Sequence, residues 1–313
     1  MTIPAAEGRA ARARWGRNHG GYVGNRLLLA VGQFCLPLGY AAVKLTALGF
    51  FVWHARARRA SRDYLPRVLG PKNPLLLACY IYKHLDVFGK MLIDRAVALA
   101  TEHRNFRFTA VGLEHLKDAL RADAGVLMLT AHVGAAEMAA PLLRQCTDRP
   151  LYMVMYRDPA DTAEHFHEKH QQALQDVHVI STTEPVRAGL QMLAALRQKA
   201  IVGVRADRAL TGKTIEATLL GQPVALPAGP FLTAILTGVP VLSTYVLRVG
   251  YRHYEMVAFP PRHYTDNQGP REDTLRRAAA DYAADLESIL LKYPYQWFNF
   301  YKFWETAGGT QSK

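Results

Sequence analysis

The stretch "GVLMLTAHVGAAEMAAPLLRQ", residues 125–145, passes from an unbroken apolar run into a helical pattern, and the glycine at 134 marks the junction. A short apolar run bounded by a turn signal reads as a strand buried on both faces, here over 125–130. The apolar spacing that follows predicts a helix over 134–146. His132 therefore falls at the carboxyl end of a strand, the edge at which open α/β sheets bind their ligands. Between Val126 and Leu143 only His132 and Glu137 carry ionisable side chains.

The same reading extends outward in both directions. Short runs rich in Val, Leu, Ile and Met predict strands over 106–111, 151–156, 177–181, 201–205, 239–248 and 254–259. Helical patterns over 160–175, 185–199, 228–237 and 271–292 separate most of them, and another, 74–100, precedes the first strand. Such alternation predicts an α/β fold with a mixed, largely parallel sheet flanked by helices. No repeat or low-complexity tract interrupts residues 71–313, which read as one catalytic domain.

Residues 1–70 differ from the rest. The run 27–53, "LLLAVGQFCLPLGYAAVKLTALGFFVW", is long enough to span a bilayer with tilt and ends in the basic "HARARRASR". It is longer than a signal-peptide core and lacks a cleavage site after it, so it reads as a retained, membrane-associated helix. Arginines flank it on both sides and give no clear orientation. A helix broken at Pro37 and dipping in from the cytoplasmic face would lay both basic flanks on anionic phospholipid. The alternative is a buried core helix of a soluble protein. The 313 residues carry a formal charge of +12, which calls for an anionic partner such as nucleic acid, an acidic protein or a phospholipid surface. Cys35, Cys79 and Cys146 have no CxxC spacing and cannot all pair, which argues against a disulfide framework or zinc knuckle and for a cytoplasm-facing protein.

If residues 132–137 were all helical, His132 and Glu137 would point about 140° apart and could hardly meet. With His132 before the helix and Glu137 in its first turns, the carboxylate can turn back to one imidazole nitrogen and leave the other free as a base. That is the base and orienter of a triad without a nucleophile on the protein, since no GxSxG elbow is present. Such a pair would activate a substrate hydroxyl or amine directly. The competing reading is a turn histidine bonded to backbone and a surface glutamate. Asp207 follows the strand 201–205 and points to the same sheet edge, or else caps a helix. Arg157 can hold a phosphate or an acyl carbonyl through its planar fork, or is an ordinary surface arginine. His165, His167 and His170 have a spacing that would ligate a metal in an irregular segment, giving a metal-dependent hydrolase, but read equally as a solvated helix face. The aromatic "QWFNFYKFW", residues 296–304, lacks an RNP-like pattern that would point to nucleic acid, and suits a membrane interface.

Taken in order, four blocks resemble the late lipid A acyltransferase family, the bacterial lauroyl and myristoyl type. "LTAHVGAAE" is similar to its H-x4-D/E motif, "MYRDP" (155–159) to its arginine block, the segment 201–242 to its aspartate block with a following FG-x-P-like turn, and "YPYQWF" (293–298) to its P-x-Q-W ending. Arg208 and Leu220 stand where that pattern usually has Gln and Phe. Residues 57–70 and 88–99 further resemble a branch associated with aryl polyene pathways. The resemblance implies a glycerolipid acyltransferase-like fold on the cytoplasmic face of a bacterial inner membrane. It implies His132 as general base with Glu137 as its partner, and Arg157, Asp207 and the helix opening near Gly134 in substrate binding. The donor would be a thioester of acyl carrier protein or coenzyme A and the acceptor a lipid or glycolipid, with no metal or cofactor. A lipid-binding factor with a decayed site is the non-enzymatic alternative.

Overall fold

A computed structural model describes residues 36–101, 103, 105–155, 177–209 and 212–304. Its centre is a seven-stranded sheet of order β1-β9-β8-β2-β5-β3-β4. The strands are β1 (Arg107–Val111), β2 (Val126–Thr130), β3 (Leu151–Met155), β4 (Val177–Ser181), β5 (Ile201–Arg205), β8 (Val241–Gly250) and β9 (His253–Ala258). Five of them, β8-β2-β5-β3-β4, run parallel, while β9 pairs antiparallel with β8 and carries β1 parallel to itself. This is the mixed, largely parallel α/β sheet that the alternating pattern predicts. β2 is buried at all five positions, because it has a neighbour on each edge and helices over each face.

Strand alternation divides the core in two. Leu127, Leu129, Val202, Val204 and Tyr245 enter one apolar cluster, which also receives α6 (Pro185–Arg197), α7 (Ala228–Thr237) and α8 (Arg271–Lys292). Val126, Met128, Ile201, Val246 and Met256 enter the other, beneath α1 (Leu36–Trp53), α3 (Pro74–Ala100) and α4 (Leu113–Arg121). The arginine-rich α2 (Ala55–Leu69) buries Tyr64 and Leu65 in the first cluster.

α1 is long and apolar enough to cross a membrane by length and composition. Pro37 lies in the first described turn of α1, and the chain on the N-terminal side of the break expected there lies outside the described residues. Leu36, Gly39, Val43 and Ala47 form its buried stripe. They lie antiparallel along α3: Tyr40 bonds Asp94, and Val43 sits so close to Gly89 that a Cβ there would come within 2.7 Å. Asp94, fully buried, also accepts from Arg248 Nε (2.9 Å) and Tyr254 OH (2.8 Å), so α1, α3 and the sheet share one polar knot. The outer face of α1 exposes Leu45 (74%), Leu48 (52%), Val52 (53%) and Trp53 (79%).

Three elements depart from expectation. The helix predicted over 134–146 is a 3₁₀ turn, Ala136–Ala139, followed by a five-residue α5 (Ala140–Arg144). Gly134 has φ +65° and Ala135 lies at φ −130°, ψ 70°, both outside the helical region, so helical geometry begins only at Ala136. The FG-x-P-like turn opens a hairpin, β6 (Thr214–Leu219) and β7 (Gln222–Pro227), whose two turn residues Leu220 and Gly221 both have positive φ, the geometry a two-residue hairpin favours. The aromatic ending is not a surface girdle: Trp297 (1% exposed) and Phe303 (4%) are core residues, packed with Tyr64 and Trp304. The predicted helix 160–175 lies outside the described residues.

Candidate active site

β2 and β5 are parallel neighbours with Thr130 opposite Arg205. Two residues past each of these positions stand His132 and Asp207, which the shared register brings side by side. His132 Nδ1 is 2.7 Å from Asp207 Oδ1, and the His132 backbone N–H donates to Oδ2 at 3.0 Å. The backbone of His132 is held on its other side as well, since the Phe298 N–H donates to the His132 carbonyl at 2.8 Å. Asp207 is completely buried and its Oδ2 also accepts from Trp297 Nε1 (3.0 Å) and Asn299 Nδ2 (2.9 Å). A carboxylate only accepts, so the proton between the two side chains belongs to Nδ1 and the neutral ring keeps its lone pair at Nε2. Among the described residues Nε2 has no hydrogen-bond partner, and the side chain is 25% exposed.

Burial by itself would raise the Asp207 carboxyl. The attraction of His132, with hydrogen bonds from His132 and Trp297, outweighs burial and holds it well below the usual carboxylate range. An ionised, immobile partner at Nδ1 both aims the imidazole and favours its protonation when a substrate proton arrives.

Glu137 is placed differently from expectation. It bonds Arg95 Nη1 at 3.1 Å and Arg205 Nη2, and the partner at His132 Nδ1 is Asp207. The 3₁₀ turn aims its carboxylate toward β5 and α3 instead of back at the ring. Burial again works against the charge, and Arg205 followed by Arg95 pulls the carboxyl well below its ordinary range. Gly134 has φ +65°, and a Cβ there would stand 1.9 Å from Val246 O, so only glycine lets the chain pass over β8. Its N–H is taken by Gln296 O at 2.8 Å. Arg157 and the histidines 165, 167 and 170 lie outside the described residues. Among the described residues no three metal-ligating side chains converge.

Beneath this edge, between the sheet and the segment 136–143, runs an open cavity of about 790 Å³, solvent at its mouth included. Met128, Leu143, Leu151, Ile201, Val246 and Met256 make most of its wall apolar, and Thr130, Glu137 and Arg205 line it as well. Thr130 and Arg205 each stand two residues before the dyad along the chain, while His132 and Asp207 do not themselves line the cavity.

Trp297, Asn299, Arg95 and Arg205 are the parts of the site that sequence reasoning missed. The first two lie within or just after the P-x-Q-W-like ending, which was the available signal. Gln296 of the same segment pairs with both backbone groups of Arg248 (2.9 Å each) and so locks the segment across β8.

A histidine held by a buried carboxylate at the carboxyl end of a parallel strand is the site that this fold positions. The chain belongs to the bacterial lipid A biosynthesis acyltransferase family, whose profile matches residues 8–306. Over 205 residues it is 29% identical to the phosphatidylinositol mannoside acyltransferases of two Mycobacterium tuberculosis strains, H37Rv and CDC 1551. That match covers 64% of this chain and 64% of each relative. Neither comparison carries the aryl polyene association.

Proposed function

We propose that the protein transfers an acyl chain from a thioester to a hydroxyl or amine of a lipid or glycolipid acceptor. The observation that carries this is the grip of the buried Asp207 on His132 Nδ1. The acceptor gives its proton to Nε2 as its oxygen or nitrogen attacks the thioester carbonyl. The tetrahedral intermediate collapses, the C–S bond breaks, and the departing thiolate takes the proton back from the imidazolium. Asp207 orients the ring and balances its transient charge. Glu137, expected to do this, serves by fixing Arg95 and Arg205 beside the cavity, and the cavity takes the acyl chain. Arg157 is the further candidate for holding the carbonyl oxygen or an acceptor phosphate.

The donor is an acyl carrier protein thioester in preference to acyl-coenzyme A, because the chain's charge of +12 favours a strongly acidic protein partner. The enzyme sits on the cytoplasmic face of a bacterial inner membrane. α1 lies in the bilayer interface with its inner stripe kept on α3 and its outer face in lipid, and the exposed Arg56, Arg59 and Arg62 rest on anionic headgroups.

The test is transfer of radiolabelled acyl chains by the purified full chain, from both donors, to a lipid A precursor and to a phosphatidylinositol mannoside. Wild type is expected to acylate at least one acceptor and His132→Ala none. Full activity of a folded His132→Ala protein overturns the mechanism. Binding of donor without transfer under any condition turns the reading toward a lipid-binding factor.

A further inference from the structure

β5 reads Ile-Val-Gly-Val-Arg. Val202 and Val204 belong to the core on one face of the sheet, while Ile201, Gly203 and Arg205 line the cavity on the other. Glycine in the middle of a central strand is an unfavourable choice: it costs roughly 0.5–1 kcal/mol against alanine in backbone entropy and packs nothing. At other buried turns the fold demands it. A Cβ at Gly134 would strike Val246 O at 1.9 Å, and one at Gly125 would strike Leu196 O at 2.4 Å. Gly203 has no such need. Its φ is not positive, and a Cβ there would meet nothing nearer than Tyr152 O at 3.8 Å.

The backbone therefore tolerates a side chain at 203, and what the glycine provides is room. The residues level with it on the neighbouring strands are Met128 and Met153, both lining the same cavity. Methionine is unbranched and adjusts its shape to what lies against it, so the floor here is one gap between two adaptable side chains. From Arg205, two residues before Asp207 on the chain, to Ile201 is four residues of strand, roughly 13 Å. Gly203 stands halfway.

We infer that Gly203 sets the length of acyl chain the enzyme accepts, by leaving the middle of the cavity open for the chain to pass toward Ile201 and Leu151. This rests on the acyltransferase reading and adds a residue that decides specificity. A side chain at 203 closes the passage: short chains still fit between the dyad and the block, and long ones lose their burial. Each methylene excluded from an apolar site costs about 0.8 kcal/mol, close to fourfold, so the loss compounds with length.

The experiment uses the full chain with Gly203→Ala and Gly203→Val, each offered a series of acyl carrier protein thioesters of increasing length in competition. The readout is the ratio of kcat/KM for long over short donors within one preparation, which is insensitive to how much protein has folded. Valine suits a strand, and alanine is retained in case it destabilises the sheet. The expected result is a fall of that ratio by tenfold or more for Gly203→Val, a smaller fall for Gly203→Ala, and none for Gly189→Ala, a glycine on α6 with open space about it. Unchanged ratios in both Gly203 variants, with transfer intact, overturn this inference alone. No transfer of any chain by wild type overturns the acyltransferase reading and this inference with it.

Discussion

Asp207 takes four hydrogen bonds on two oxygens, three of them on Oδ2. That division makes Asp207→Asn an informative change. The amide oxygen keeps the three donors at Oδ2, so its NH2 group faces His132 Nδ1 and forces the proton of the neutral ring to Nε2, where the lone pair is needed. We expect kcat to fall by up to about 10⁴, the order seen for the same change in a serine protease triad, with little change in KM or melting temperature. A loss confined to stability would show that Asp207 only supports the fold. Glu137 should behave in the opposite way. Glu137→Ala leaves two guanidinium groups beside the cavity without their shared carboxylate, and we expect a loss on the order of 3 kcal/mol in urea unfolding. Glu137→Asp should restore part of it. Unaltered stability of Glu137→Ala would show that the arginines do not depend on this carboxylate.

At the scale of elements, α3 is the spine that joins the N-terminal helices to the site. His84 on it is fully enclosed, receives the Ser61 hydroxyl of α2 at Nδ1 (3.0 Å) and donates from Nε2 to Trp297 O (2.8 Å), one residue before the chain reaches over His132. Burial pushes its pKa down to about 4, against the bond to Trp297. The folded value lies below the unfolded one, so the unfolded chain binds the extra proton. The contribution is complete above about pH 6.5 and is lost as pH falls toward 4. Between pH 7 and pH 5 this group should remove on the order of 2 kcal/mol from the unfolding free energy. His84→Gln should flatten that part of the pH dependence. An equal slope in the variant would assign the acid sensitivity to other groups.

α1 gives the second element-scale test. Leu45, Leu48 and Val52 share one exposed face. Spin labels placed at the three positions in vesicles containing phosphatidylglycerol should report similar shallow depths if the helix lies in the interface. A helix standing across the bilayer would separate the first and last by roughly 10 Å, and such a gradient would replace the interfacial arrangement with a spanning one.

Of the molecule's charge of +12, nine units fall in residues 1–62 and three in residues 63–313, so any steering by the catalytic domain rests on a small excess that includes Arg208 near the sheet edge. Long-range steering of an acidic carrier protein follows from such an excess and weakens as salt shortens the screening length. With a soluble acceptor analogue in detergent, kcat/KM for the carrier-protein thioester should fall as ionic strength rises from about 0.05 to 0.5 M, and the coenzyme A thioester should respond less. Equal use of both donors with equal salt dependence would remove the carrier-protein assignment.

Local pattern was enough to determine the sheet-forming runs, the helices at 74–100 and 271–292, the apolar N-terminal run, and the place of His132 at a strand end. Those features follow from hydrophobic period and turn residues, which act over a few neighbours. His132 and Asp207 could each be placed at the same sheet edge from sequence, yet their contact could not. It depends on β2 and β5 being adjacent in register, which is set by the strand order and not by anything local to two residues 75 positions apart. Glu137 looked like the partner because it was near in sequence. The backbone at Gly134 and Ala135 is instead bonded to Gln296 and Val246, from distant parts of the chain, and the glutamate that follows meets Arg95 and Arg205. The aromatic ending was misjudged for the same reason. Composition shows an amphipathic segment, but only packing against Tyr64, His84 and the sheet edge decides that Trp297 faces inward and gives its indole N–H to Asp207.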